Sequence, residues 1–481
     1  MIASRRLTLI ASSVAAPLVV GAATTLGPIA GLGAVGAVGV GLLVFFRPVY
    51  GAYALVALVP VLSGIQRGLP VPGFRLSELM IVGIAGIVLL SAPRSPRWGA
   101  FDWMALSYVA ATAFLVWFNI VRHGDALTGD NFGTLMGPLQ FLLLYRAILT
   151  GLPGAGQRAR AMRFLLFFSL PVSILTLLQQ FNVGGVRSLI VTLTGTDIYE
   201  STVTEVPRAT GPFPHWHNLA GYMLLIVLLG FSLLIEPGQR VMRRRTLLVT
   251  LAFALAALVQ TASFAPLLGA FVGASLIGLL SGQGRRMLVW LGVAVVVGGL
   301  LFGPLIKERV SQQEASTNYT EDQSFLPQTI EFRYRLWKTA YVPVIEDNFV
   351  AGYGPNLPPG IYFDFAESLY VTLLLRGGIL LLLTYLAVMG TLALRARGAM
   401  LAGEVERRVV GRAVLVTVPL LVLIDIIETY FLDSGPAPLL WVLVGLMGAG
   451  TASARHGVRW PRASFIREHA RVSWQDRPDT G

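Results

Sequence analysis

The stretch EFRYRLWKTAYVPVIEDNFVAGYGPN, residues 331–356, and its continuation AESLYVTLLLRGG, residues 366–378, stand apart from everything around them. They are polar, charged and rich in Trp, Tyr and Gly, in a 481-residue chain that is 55% hydrophobic and 13% charged. On a helix Arg333, Arg335, Trp337 and Lys338 fall within about two turns, and Glu367 opens the next apolar run. Three cations and a carboxylate therefore gather where a polar segment meets hydrocarbon.

Outward from that segment the chain divides into apolar runs long enough to cross a bilayer. Seven lie near residues 7–26, 28–46, 49–64, 78–92, 101–120, 133–150 and 163–180, and seven more near 217–235, 245–261, 263–281, 287–304, 367–394, 411–431 and 436–453. The expected fold is an all-α, polytopic transmembrane helix bundle of about 12–14 spans, filling residues 1–454. A large extracytoplasmic loop, about 306–366, precedes the last three spans, and an earlier one covers about 182–216. Arg5 and Arg6 before LTLIASSVAAPLVV resemble a signal peptide; because the run Ile29–Phe46 follows at once, a first spanning helix is expected instead. Residues 455–481 are expected to be a disordered, basic cytoplasmic tail.

The net charge of +12 would suggest nucleic acid in a soluble domain, but here the arginines fall between apolar runs and signal topology, so no nucleic-acid partner is expected. With the N-terminus inside, the even-numbered connections are cytoplasmic. They carry Arg47, Arg94, Arg97, Arg158, Arg160, Arg163, Arg240, Arg243–Arg245, Arg285, Arg286 and the cluster from Arg395 to Arg412. Both termini are then cytoplasmic, in a multi-pass plasma-membrane protein. The connections left outside still hold Arg122, Arg187, Arg208, Arg333 and Arg335. Cations kept there are either solvated loop residues or ligands for an anion at the outer face.

The chain has no cysteine, which excludes disulfides, thiolate catalysis and Cys-ligated metal. Its five scattered histidines give no metal-ligand spacing, so no metal and no cofactor is expected. Upstream of the eighth run the sequence is EVPRATGPFPHWHNLAGYMLL, residues 205–225. Arg208 precedes the breakers Gly211, Pro212 and Pro214, and His215, His217 and Asn218 stand at the mouth of a helix. A helix N-terminus there favours a phosphate, and the planar fork of Arg suits a diphosphate. His215 and His217, one residue apart, are not expected to face the same way on a helix. Glu331 and Arg335 are four apart and would pair. Asp425 and Glu428, three apart, are expected inside the thirteenth span on one helix face, in a structural pairing or a proton path. Ser77 or Glu78 would cap the fourth span.

These patterns resemble the O-antigen ligase and polysaccharide polymerase family of membrane glycosyltransferases. The family places an Arg four residues before a Trp, here Arg333 and Trp337, then a Pro and a G-x-G, here Pro343, Gly352 and Gly354. Its ligases then place a His, a small polar residue and, after nine residues, a Gly. Ser368 and Gly378 keep that frame, Glu367 stands for the His, and Leu381 stands where Gly, Thr or Tyr is expected. The family's Arg-x-x-Gly is matched by Arg208 and Gly211; its Thr-x-Ser-Arg has Phe264 at the Arg position. The resemblance implies a GT-C-like enzyme acting at the outer face of the cytoplasmic membrane, inverting and independent of metal. It would transfer a glycan from an undecaprenyl diphosphate to a hydroxyl on a glycan, lipid or protein acceptor. Arg208, Arg333 and Arg335 would bind the diphosphate and Glu367 would be the base, supported by His215, His217, Asn218, Trp337 and Ser368. The rival reading is a transporter or flippase of lipid-linked sugar or a small anion, which would place its charge near mid-membrane in paired halves. A structural envelope partner is a third.

Overall fold

The computed structural model describes residues 28–65, 76–92, 96–195, 208–285, 328–363 and 366–448, with isolated positions between 289 and 311. The expected span at 7–26, most of that at 287–304, loop residues 196–207 and 312–327 and the tail lie outside them. The described residues are helical, with no strand. In chain order the helices are α1 (Pro28–Phe46), α2 (Pro48–Leu62) and α3 (Leu76–Met80, continued by a π turn, Ile81–Ala85, and Gly86–Ser91). Then follow α4 (Ala100–His123), α5 (Gly129–Gly151), α6 (Ala155–Gln180), α7 (Val186–Thr194), α8 (Trp216–Leu234), α9 (Arg244–Gln260) and α10 (Phe264–Leu280). After them come α11 (Gln328–Leu336, a π turn Trp337–Tyr341, and Val342–Asp347), α12 (Leu369–Met400), α13 (Val405–Ile424) and α14 (Pro436–Leu446).

Among the described residues α4, α6, α8 and α12 are long and apolar enough to cross a membrane, and the pair α1–α2, bent by 119°, makes a fifth. This is fewer than the 12–14 expected: the runs at 7–26 and 287–304 lie wholly or mostly outside the described residues, and α9, α10 and α14 are 17 residues long or shorter. α10 and α14 remain shorter apolar helices. α8 is apolar all round and its most apolar window is 89% buried, which makes it the central helix. On α4, by contrast, Phe114, Trp117, Phe118 and Val121 repeat at helical spacing and stay exposed, a stripe for lipid to cover.

Ion pairs show which helix ends lie together. Asp102 at the start of α4 binds Arg146 near the end of α5 at 2.8 Å, with Arg395 from the end of α12 at 4.0 Å. Glu236, just past α8, is held by Arg408 at 2.7 Å and Arg412 at 2.8 Å from the start of α13. Arg158 at the start of α6 pairs with Glu404. Arg158, Arg395, Arg408 and Arg412, all assigned from sequence to one side of the membrane, thus sit at helix ends joined by these pairs. At the far end lie the close of α4, with Arg122, the close of α6, whose carbonyls bind Arg187, and the start of α8, beside Arg208.

α12 is broken at Gly377–Gly378, where Gly378 has φ +62° and ψ −161°. The loop after α11 plugs the break: Tyr353 and Gly354 N–H donate to Leu375 O at 2.7 and 3.0 Å, and Ile379 N–H donates to Phe349 O at 2.8 Å. A Cβ on Gly378 would stand 2.3 Å from Val350 O, and one on Gly352 2.5 Å from Gly377 N. Gly352 of the G-x-G and Gly378, which ends the frame, thus meet backbone to backbone, while Gly354 lies against the Asn119 side chain. Leu381, the departure from the family frame, is buried and packs on Gly377.

Candidate functional site

The Arg208 loop is fixed by backbone bonds. Gln179, near the end of α6, accepts from Thr210 N–H at 2.9 Å and Gly211 N–H at 2.8 Å, and its amide donates to Thr210 Oγ1 at 3.0 Å. Ala209 N–H donates to Gln260 O at 3.1 Å, so the Gln-Thr-Ala-Ser turn after α9 holds this loop while Phe264 faces outward. The Arg208 guanidinium lies over the Trp216 ring at 4.5 Å, a half-buried cation–π contact of about 1 kcal/mol. Its Nε is buried without a hydrogen-bond partner among the described residues.

His215 precedes α8 in extended conformation, φ −135° and ψ 155°. For that reason its ring stacks on His217, with centroids 5.1 Å apart and planes 9° from parallel, which corrects the expectation that the two diverge. The helical spacing argument does not apply to a residue outside the helix. His217 Nε2 lies 3.8 Å from Asp433 Oδ2 and within electrostatic reach of Arg333. Asn218 is buried and donates to Ser434 O at 3.0 Å, a structural tie between α8 and the segment before α14.

Arg333, on α11, donates through Nε to the Glu367 carboxylate. Glu367 is half in solvent, and its φ of +43° lies in the left-handed region. A non-glycine residue held there costs on the order of 1–3 kcal/mol and is characteristic of functional sites. Surroundings fix it from both sides: Trp337 Nε1 donates to Ala366 O at 2.7 Å, and Ser368 caps α12 by accepting from Val371 N–H. Ser368 and Trp337 thus shape the backbone that carries Glu367. Arg335 pairs with Glu331 at 2.5 Å and stays exposed, so it stands apart from this group.

Asp425 and Glu428 are not inside a span. α13 ends at Ile424, after the helix-interior Pro419, and a turn carries both residues back toward α12. Leu369 N–H, in the first turn of α12, donates to Asp425 O and Glu428 O, each at 2.9 Å. Asp425 is buried, accepting from Tyr385 OH and Tyr430 N–H, each at 2.9 Å. Glu428 is the site residue that sequence reasoning assigned elsewhere. Burial pushes its carboxyl up to about 8; the charges of Asp433 and Glu367 add to this and that of Arg333 opposes it. Asp433, absent from the candidates read off the sequence, lies near both Glu428 and His217 and accepts from Thr429 Oγ1 at 2.8 Å.

The far end thus brings Arg333, Glu367, Glu428, Asp433 and His217 into one group, with Arg208 joined through Trp216. Such a group can hold an anion on guanidinium forks and offer carboxyl groups beside it. No curated protein matches the chain. Residues 249–386 match the family model described as O-antigen ligase, a region that runs from α9 into α12 and includes Arg333 and Glu367. The chain therefore carries an O-antigen ligase domain, the mark of a family of membrane enzymes that transfer glycans in polysaccharide biosynthesis.

Proposed function

We propose that the protein transfers a glycan from an undecaprenyl-diphosphate carrier to an acceptor hydroxyl, with inversion and without a metal ion, as a polymerase or ligase of GT-C kind. The far end of the bundle then faces the extracytoplasmic side, and the termini and the arginine end face the cytoplasm. The contact between Arg333 and Glu367 carries the reading, since it sets an anion-binding fork against a proton acceptor within the matched domain.

Arg208 and Arg333 bind the diphosphate, Arg333 by leaving Glu367 for the phosphate oxygens. The displaced carboxylate is then free to accept a hydrogen bond from the acceptor hydroxyl. The hydroxyl oxygen bonds to the anomeric carbon, the bond from that carbon to the phosphate oxygen breaks, and its electron pair leaves on undecaprenyl diphosphate. Glu367 takes the hydroxyl proton. Both guanidiniums stabilise charge that grows on the leaving group, in a site partly closed to water. Arg335, paired with Glu331, serves only to raise the positive potential nearby. His215 and His217 line the approach to the phosphate.

Deletion of the gene, followed by analysis of envelope glycans, tests this. Single repeat units accumulating on the carrier indicate a polymerase, and accumulated long chains a ligase. Complementation by Glu367→Gln or Arg333→Ala at normal expression is expected to fail; full complementation by both would overturn the assignment.

A further inference from the structure

A small cavity of about 40 Å³ opens beside Asp433, between α2, α3, α5 and the start of α14. It is lined by Ser63, Ser77, Glu78, Gln140, Asp433 and Ser434, beside apolar residues. Asp433 also faces His217, so the cavity and the group around Glu367 share a wall. None of the roles given to Arg208, Arg333 and Glu367 uses this space, and Glu367 meets the acceptor only at its reacting hydroxyl.

Size and chemistry narrow what fits. The volume admits one hydroxymethyl-sized group and no second sugar ring. Ser63 Oγ already donates to Pro60 O and accepts from Gly435 N–H; the hydroxyls of Ser77 and Ser434 and the amide of Gln140 are groups that both donate and accept, which matches a neutral alcohol. Two carboxyl groups in a largely buried pit disfavour an anionic branch.

We propose that this cavity is an acceptor subsite that receives a neutral, hydroxyl-bearing branch of the incoming sugar and selects against acidic ones. The proposal rests on the transferase reading above and adds where the acceptor is held. Gln140 and Glu78 are positioning residues here, one by its amide and one by its carboxyl.

The test uses the full chain in membrane vesicles from a deletion strain that accumulates its own lipid-linked glycan, alongside binding of undecaprenyl diphosphate to the purified protein. Gln140→Met and Glu78→Gln, which keep side-chain size, are each expected to lower transfer about tenfold while undecaprenyl diphosphate binding and melting temperature stay at wild-type values. Transfer at wild-type rate in both variants overturns the subsite, as does parallel loss of transfer and binding in folded protein. If Arg333→Ala binds undecaprenyl diphosphate as well as wild type does, the diphosphate-site reading fails instead.

Discussion

The two ends of the bundle handle charge in opposite ways. At the arginine end each buried acid is saturated: Asp102 has Arg146, Arg395 and the Tyr145 hydroxyl, and Glu236 has Arg408 and Arg412. At the far end, among the described residues, Arg333 pairs with Glu367 and also acts electrostatically on Glu428, while Glu367 sits on a strained backbone. Saturated pairs lock helix ends, because separating them would strand a charge in low dielectric. Undersupplied acids keep a protein responsive to an incoming ligand, which is the condition a reaction site needs.

Substitutions at the two ends should separate activity from stability. The largest effect expected is on turnover: Glu367→Gln should lower transfer by about 10²–10⁴-fold, with melting temperature held or raised, measured in vesicles and by thermal unfolding. Asp102→Ala should do the reverse, costing about 3–5 kcal/mol of stability by leaving Arg146 unpaired, with transfer per folded molecule unchanged. An Asp102→Ala protein that unfolds like wild type would break the contrast. Between the ends, Gly378→Ala forces a side chain onto φ +62° against Val350 O and should cost about 2–4 kcal/mol. It should also reduce transfer, since the break it disturbs lies three turns along the helix that Glu367 precedes.

Glu428 sharpens the comparison through pH. Its folded carboxyl titrates near 8 against about 4.5 for an ordinary glutamate. Between these values the unfolded chain loses a proton that the folded chain retains, so stability falls as pH rises. The contribution is full below about 4.5 and is lost on passing 8. Unfolding followed at pH 5 and pH 8 should show a decline that Glu428→Gln flattens. The smallest effect belongs to Arg335→Ala, within about 0.5 kcal/mol, because its pair with Glu331 is exposed.

Much of this was legible from composition and spacing. Apolar runs marked the described helices, since helix burial depends on hydropathy along the chain. Arg333, Trp337 and Glu367 were visible because they interrupt hydrocarbon. Glu428 was seen but assigned to the interior of a span, because hydropathy does not register that α13 stops at Ile424. Asp433 was missed because a lone acid in a short turn carries no periodic signal. The stacking of His215 on His217 depends on where a helix begins, and a shift of one residue there reverses which way a ring points. Gly352 and Gly378 were named as a pattern; their direct contact across 26 residues is a tertiary fact.

The two bonds from Leu369 N–H to the carbonyls of Asp425 and Glu428 have a consequence for engineering. They anchor the start of α12, and with it Glu367, to a turn some 40 positions beyond the region that matches the family. Arg208 lies equally far upstream of that region. A chimera that grafts residues 249–386 onto a related scaffold would import Glu367 without the floor it stands on and without Arg208. Grafts should therefore carry residues 208–218 and 425–435 as well, and such three-part transplants are the ones expected to keep their donor's activity.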